Sequence, residues 1–434
     1  MGKLSFILMG LLLGGGVQAS SLNWETILTY VVNENPRLKA ARQDWESAQY
    51  GERAAFAAFL PKVSATATAS RTGATTKNSS AGAIVTNGVV FGGGSGTNVN
   101  NNWVTSLNLT QNLFNGLEDR ARVKQAEWKS QNSYWTFVRT KADVSYDLKV
   151  AYANLLYAQE YVTLSQDILE RRENNYKLVS IRFDSGRENK GSVLLSEANM
   201  EQARLDLIRA KDNLRVSKET IKSIMNKDHF EDFEIVGEPP LPNINIPDNK
   251  YDELAVETPD YHQALTLERS AEEGIKVVRA NFMPNLDIGA NVSRQGPDFF
   301  PENERWSMAL TLTIPIFDGL VDRSNYKAAV VNRYAADERK RSTFLNLIPQ
   351  MKQAQVEAKQ SDIKFKVDSK FKKATETRAE ISRAKYNNGL LTFDDWDIIE
   401  NDLIQKQNTY LQSKRERIIK YAAWEKVIGK GDIL

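Results

Sequence analysis

The chain has 434 residues, 57 basic against 55 acidic side chains, a formal net charge of +2 and no cysteine. That balance gives no electrostatic case for nucleic acid. The missing thiols exclude disulfides, thiol catalysis, zinc–thiolate sites and a cysteine that could carry a lipid. With only His229 and His262 as imidazoles, a Ser/His/Asp triad or a histidine metal site has almost nothing to draw on. No enzyme activity and no cofactor are expected.

Residues 1–19 read as a signal peptide: Lys3, the apolar stretch Leu4–Leu13, and the small-residue cleavage site Val17-Gln18-Ala19. No other run approaches the length of a membrane-spanning helix. Residues 22–59 have a helical pattern, with Pro36 as an early helix residue behind Asn35 and Pro61 as the stop. From Lys62 the period changes to two. Val63, Ala65, Ala67 and Ala69 alternate with Ser64, Thr66, Thr68 and Ser70, predicting a strand over about 62–71. Its partner, about 103–113, places Trp103, Thr105, Leu107, Leu109, Gln111 and Leu113 on one face. The Gly/Asn/Ser/Thr-rich segment 72–101 between them reads as an exposed loop. Its Gly92-Gly93-Gly94-Ser95-Gly96 has no helix after it and is not a phosphate cradle.

Residues 117–182 contain no proline or glycine and carry a heptad: Leu148, Leu155, Val162, Leu169 and Tyr176, with Ala151, Ala158 and Ser165 beside it. This predicts a coiled-coil helix roughly 100 Å long. Gly186 stops it, and a return helix runs over about 188–226. A proline-rich linker, 227–250, follows.

The second half repeats the first. Pro36 and Pro61 are 25 residues apart, as are Pro259 and Pro284. Strands are predicted at about 285–293 and 306–316, the latter with Trp306, Met308, Leu310, Leu312, Ile314 and Ile316 on one face. Gly116 recurs as Gly319 and Gly186 as Gly389, both 203 residues on, whereas the prolines recur 223 on. The long helix 320–385 is interrupted only by Pro349, which should kink or locally open it. The return helix runs over about 392–427, leaving the tail 428–434. The organisation is therefore a first repeat 20–226, with its helical hairpin over 117–226, a linker, and a second repeat 251–427, with its hairpin over 320–427.

Strands of about ten residues with one apolar and one small polar face suit tilted transmembrane β-strands. Trp103 and Trp306 at one end, and Phe114 and Phe317 at the other, would form membrane-interface aromatic girdles. An ordinary sandwich edge is the competing reading of the strands. Four strands cannot close a barrel, and lipid does not tolerate open edges, so several copies would have to assemble. The fold class is mostly α with a small transmembrane β part: a duplicated β-hairpin plus long coiled-coil helical hairpins.

At this point the sequence resembles the TolC-like outer-membrane efflux family. The matching residues are Asn35-Pro36, Leu60-Pro61, Leu113-Phe114-Asn115-Gly116, Arg182-Phe183-Asp184-Ser185-Gly186 and Glu197-Ala198. Their counterparts are Pro259, Met283-Pro284, Ile316-Phe317-Asp318-Gly319, Tyr386-Asn387-Asn388-Gly389 and Glu400. The resemblance implies a homotrimer whose β-barrel is continued by an α-helical periplasmic barrel. It also implies an outer-membrane location, a periplasmic adaptor and an inner-membrane efflux pump or type I secretion ATPase as partners. The competing functions are a periplasmic adaptor and a coiled-coil structural protein without a channel.

Asp394, Asp395 and Asp397, just past Gly389, are candidate gate carboxylates, with helix capping as the alternative role. The resemblance supports Asp395 as a gate residue and Tyr386 as a closing latch. Leu391 and Ile398 stand where the family has a basic latch residue and a second gate acid. Gly191 and Ser192 replace the polar-acidic pair that the tyrosine would bind, so a closed-state latch is not expected to form in the family's way. Arg182, Phe183, Gly186, Lys385, Gly389 and Leu390 are candidate adaptor-docking residues at the helix tips.

Overall fold

The computed structural model describes residues 20–75, 85–86, 89–90, 97–227, 233–244, 247 and 250–433. The predicted signal peptide, His229, and parts of the 72–101 loop and of the linker lie outside them.

The chain runs β1 (Ser20–Leu22), α1 (Trp24–Glu34), α2 (Pro36–Phe56), β2 (Lys62–Thr75), β3 (Val85–Thr86), β4 (Val89–Val90), β5 (Thr97–Asn115), α3 (Glu118–Asp184) and α4 (Lys190–Met225). It continues through β6 (Phe233–Ile235), α5 (Tyr251–Glu257), α6 (Pro259–Ala280), β7 (Asn285–Gly296), β8 (Asn303–Thr313), α7 (Val321–Asn387) and α8 (Phe393–Val427). The 203-residue offset holds to the residue: it maps the ends of α3 onto those of α7 and the start of α4 onto that of α8. The chain forms two compact units that cut across the sequence repeats.

One unit holds residues 46–132 and 264–340. Its centre is a four-stranded antiparallel sheet in the order β2-β5-β7-β8. Among the described residues the outer edges of β2 and β8 have no partner strand. Register places Ala69, Trp103 and Gly296 in line, then Val292 beside Trp306, so both tryptophans lie on one face with Val63, Leu107, Leu109, Ile288 and Leu310. The opposite face carries Ser64, Thr66, Asn108, Thr110, Asn291 and Thr311. Polar side chains bond along it, as Thr66 does with Ser106 (2.7 Å) and Asn112 Nδ2 with Asp287 Oδ1 (2.8 Å).

Two details differ from the sequence reading. A bulge between Asn112 and Phe114 adds one residue to β5, and Phe114 comes to lie opposite Leu286. Simple alternation would have put Phe114 on the polar face; the bulge moves it to the apolar one. Strand β8 stops at Thr313, because Pro315 cannot donate to a ladder, so Ile316 and Phe317 follow it as exposed, irregular chain. The first hairpin is also longer than predicted, pairing out to Thr75–Thr97.

The other unit holds residues 1–45, 133–263 and 341–434. Asn35 separates α1 from α2. Its side-chain oxygen accepts the N–H groups of Arg37 and Leu38 (3.0 and 3.2 Å), and its amide donates to the Ile224 carbonyl (2.9 Å). The predicted heptad is buried at Leu148, Leu155 and Leu169, and the small seam at Ala151, Ala158 and Ser165. One core joins Trp24, Ile27, Val31, Leu148, Tyr152, Leu155, Ile221, Met225, Phe233 and Ile433; a second joins Tyr251, Leu347, Met351, Tyr421 and Trp424. The linker contributes β6, which pairs in parallel with β1. Helix α7 continues through Pro349 without ending.

The tail packs tightly here. Lys149, 2% exposed, binds Glu425 at 2.6 Å and Asp432 at 3.1 Å, and its Nζ reaches the Pro240 carbonyl at 3.4 Å. Gly429 has φ +68 and lies so close to Pro259 that a Cβ would come within 2.0 Å of its ring.

Candidate functional site

Both helical hairpins turn through the same backbone device. Gly186 N–H donates to Phe183 O and Arg187 N–H to Arg182 O, both at 2.8 Å; Gly389 N–H donates to Tyr386 O (3.0 Å) and Leu390 N–H to Lys385 O (2.9 Å). These are Schellman closures, and they need a left-handed residue. The glycines supply it at φ +72 and +75. A Cβ on either would meet nothing, so φ alone selects glycine here. The return helices are capped alike: Asn189 Oδ1 accepts Ser192 N–H (2.9 Å) and Thr392 Oγ1 accepts Asp395 N–H (3.2 Å).

Within this frame Tyr386 is fully buried. Its ring stacks on Trp396, with centroids 4.3 Å apart and planes at 14°, and the Arg182 guanidinium lies 4.5 Å above it. Arg182 also donates to the Tyr386 carbonyl at 2.5 Å. The phenol donates to Glu188 Oε2 at 3.0 Å. Burial, reinforced by Glu188, pushes the phenol well above its usual range, so it stays protonated and remains a donor. Val179, Phe393 and Trp396 form the buried core of this cluster, with Leu178, Val193 and Leu391 against it.

The tyrosine thus has an acid partner, at a position the sequence reading did not assign. Ser192 stands where an acid was missing, and its hydroxyl donates to Glu188 Oε1 at 3.0 Å. Asn189 N–H also donates to that oxygen, at 3.2 Å. Ser192 therefore orients the carboxylate that the tyrosine binds. Leu391, in place of a basic residue, contributes packing only.

The three aspartates separate into different environments. Asp395 closes a capping pair, accepting from the Thr392 hydroxyl at 2.7 Å. Asp397 is tied down: Arg172 binds it at 2.9 Å, Asn199 donates to it at 3.2 Å and Asn401 at 2.9 Å. Asp394 is exposed, as is Ile398. Among the tip residues Phe183, Gly186, Lys385, Gly389 and Leu390 are exposed, whereas Arg182 is half-buried against Tyr386.

Above the tip, polar links join α3 to α8. Arg172 also donates to Asn401 Oδ1 (2.5 Å), Arg171 to Gln407 (2.9 Å), and Lys414 binds Glu160 (2.6 Å) and Glu238 (3.2 Å). Glu400, 1% exposed, takes Arg383 at 3.0 Å. One sign of this was present in the sequence: the seam series Ala151, Ala158, Ser165 continues at the next heptad position as Arg172. An arginine where small residues pack demands a buried partner. His262, by contrast, stacks on Trp135, with centroids 3.9 Å apart, and meets Tyr261 edge-on at 6.2 Å.

The sheet and the paired hairpins have counterparts among known proteins. The chain superimposes on the Campylobacter jejuni CmeC outer membrane channel with a TM-score of 0.79 at 18% identity, covering 93% of this chain and 85% of that one. For the open-state Neisseria gonorrhoeae MtrE outer membrane channel the TM-score is 0.76 at 20% identity, covering 96% and 93%. In sequence it is 21% identical to Nodulation protein T of Rhizobium leguminosarum bv. trifolii, over 77% of this chain and 73% of that one. It is 20% identical to the probable outer membrane lipoprotein SilC of Salmonella typhimurium, where the match spans only 42% of this chain and 41% of the relative. The model of the outer membrane efflux protein family matches residues 29–227 and 251–430, one stretch in each repeat. With both repeats matched and the architecture shared, this chain belongs to the outer membrane efflux protein family.

Proposed function

We propose that this protein is the outer-membrane exit duct of a multi-component export system and works as a homotrimer. Three chains would contribute twelve strands to one barrel. The observation that carries the assembly is the pair of free edges: β2 and β8 end the sheet on either side, and unpaired strand edges are not stable in lipid. The helices make the same demand. Within the chain α3 packs on α8, and the repeat maps these onto α7 and α4. Helix α4 exposes Leu194, Leu205, Ile208 and Val216, and α7 exposes Val356, Ile363, Val367 and Phe371. These stripes are complete if α4 of one copy packs on α7 of the next, as α8 packs on α3.

In this reading the hairpin tips close the duct. Tyr386, held by Glu188, Arg182 and Trp396, is the latch, and Asp394 and Asp395 supply carboxylates at the mouth. The exposed Phe183, Lys385 and Leu390, around the turns at Gly186 and Gly389, dock the hairpin of a periplasmic adaptor that connects to an inner-membrane pump or secretion ATPase. Residues 1–19 direct export. The basic test is assembly. Detergent, but not salt, should release the protein from membranes, and native mass spectrometry should find three chains. Release by salt alone, or a stable monomer, rejects the duct and favours the soluble adaptor reading.

A further inference from the structure

The first turns of α3 sort their charges by side. Glu118 and Asp119 line a cavity with Asn112 and Asp287 on the polar face of the sheet, and Glu118 takes Arg122, one turn on, at 2.6 Å. Arg120 and Lys124 lie two and six residues past Glu118, about 200–240° round the helix, and so on the opposite side. There they line a second cavity, of about 300 Å³, between the start of α3 and the end of α6. Lys276 and Arg279 of α6 complete it, so four cations face one carboxylate, Glu273. That carboxylate is already taken by Lys276 at 2.8 Å, and Lys124 pairs with Glu127 at 2.6 Å. Among the described residues Arg120 and Arg279 have no ion-pair partner, and both are exposed. Leu117, which also lines the cavity, is 57% exposed and holds φ +69, a conformation that disfavours leucine.

We propose that this cavity binds the anionic headgroup of a glycerophospholipid in the inner leaflet of the outer membrane, with Arg120 and Arg279 holding its phosphate. The place fits. The cavity begins at Gly116, directly after β5 ends at Asn115. The long helices extend into the periplasm, so this end of the strands meets the inner leaflet, the phospholipid one. Its cations point away from the polar face of the sheet, toward the membrane. Guanidinium groups bind phosphate oxygens in pairs of hydrogen bonds, and cations beside a membrane are drawn to anionic headgroups. Leu117 and Phe114, 57% and 40% exposed, would meet the ester and the start of an acyl chain. The device also recurs. Arg120 and Lys124 return 203 residues on as Arg323 and Lys327, Lys276 returns 223 residues back as Arg53, and Leu117 returns as Leu320 with φ +71. The inference rests on the strands crossing the membrane, as read above, and not on the number of chains.

The test titrates the full chain, in detergent, with phosphatidylglycerol and counts bound lipid by native mass spectrometry. Phosphatidylcholine, whose choline neutralises the phosphate, is the comparison. Phosphatidylglycerol should be retained under conditions that strip phosphatidylcholine. Arg120→Gln with Arg279→Gln should weaken phosphatidylglycerol binding about fivefold per cation, so about 25-fold together. The melting temperature should not change, because both side chains are exposed and unpaired. Arg122→Gln, on the other side of the same helix, should bind lipid as the parent does. Equal retention of the two lipids, parent-like binding by the double variant, or an equal loss in Arg122→Gln would each overturn the site. Excess inorganic phosphate should leave the lipid bound, since it offers no acyl chain to Leu117. Complete release by phosphate would assign the cavity to a free anion and overturn the lipid. A trimer that retains no phosphatidylglycerol sinks the site and leaves the duct standing, whereas a protein released from membranes by salt alone sinks both.

Discussion

Replacing Tyr386 with phenylalanine isolates the latch hydrogen bond. The ring keeps its stack on Trp396 and the Arg182 guanidinium above it, so the O–H donated to Glu188 at 3.0 Å is what disappears. A hydrogen bond to a charged group is worth about 1.5–3 kcal/mol when well buried. Glu188 is only half-buried and keeps Asn189 and Ser192 as donors, so solvent screening takes the value below that range, to about 1 kcal/mol per copy. If each copy opens alone, that is roughly a fivefold gain in open probability; if three copies open together, about 3 kcal/mol gives on the order of 150-fold. Single-channel recording of Tyr386→Phe beside the parent reads this directly, and the size of the gain distinguishes independent from concerted opening. Thermal unfolding should be nearly unchanged, because the core contacts survive. An open probability equal to the parent's would refute the latch.

Other consequences follow from the same geometry. Alanine at Asp394 and Asp395 should reduce cation preference in reversal-potential measurements. Asp397→Ala should mainly lower thermal stability, because its charge is already neutralised by Arg172. Gly389→Ala should cost about 1 kcal/mol from φ alone, whereas Gly429→Ala adds a clash with Pro259 and should lose several times that in denaturant unfolding. Lys149→Met strands Glu425 and Asp432 and should cost about 3–5 kcal/mol by the same measurement. Burial raises the Glu425 pKa above its ordinary 4.5 despite the opposing Lys149. A raised carboxyl pKa penalises the folded state once ionised. The Glu425 contribution should therefore favour folding as pH falls through the raised value and level off below about 4.5; comparing melting against pH for the parent and Glu425→Gln isolates it.

Period and punctuation made the architecture legible. Alternation at Trp306, Met308, Leu310 and Leu312 needed no partner to read as a strand, and the glycines at 186 and 389 marked the hairpin turns because few other residues hold a left-handed φ. The tip site was legible only in part. Tyr386 and the aspartates could be placed by their distance from Gly389. Glu188, Trp396 and Arg172 could not be assigned to them, because their partners lie on other helices. Arg172 did leave a trace, as a long cation in a seam of small residues.

The duplicated sequence by itself determined that the chain is built twice from a β-hairpin and a long helical hairpin, because strand alternation and the heptad are local properties of the backbone. Only tertiary structure decided how the copies of that unit differ. The bulge that moves Phe114 to the apolar face depends on the register against β7. The acid that holds Tyr386 depends on where two hairpin tips meet, and the locked α3–α8 seam depends on which helices become neighbours. These are long-range pairings between residues about 170 to 250 positions apart, and no local pattern encodes them.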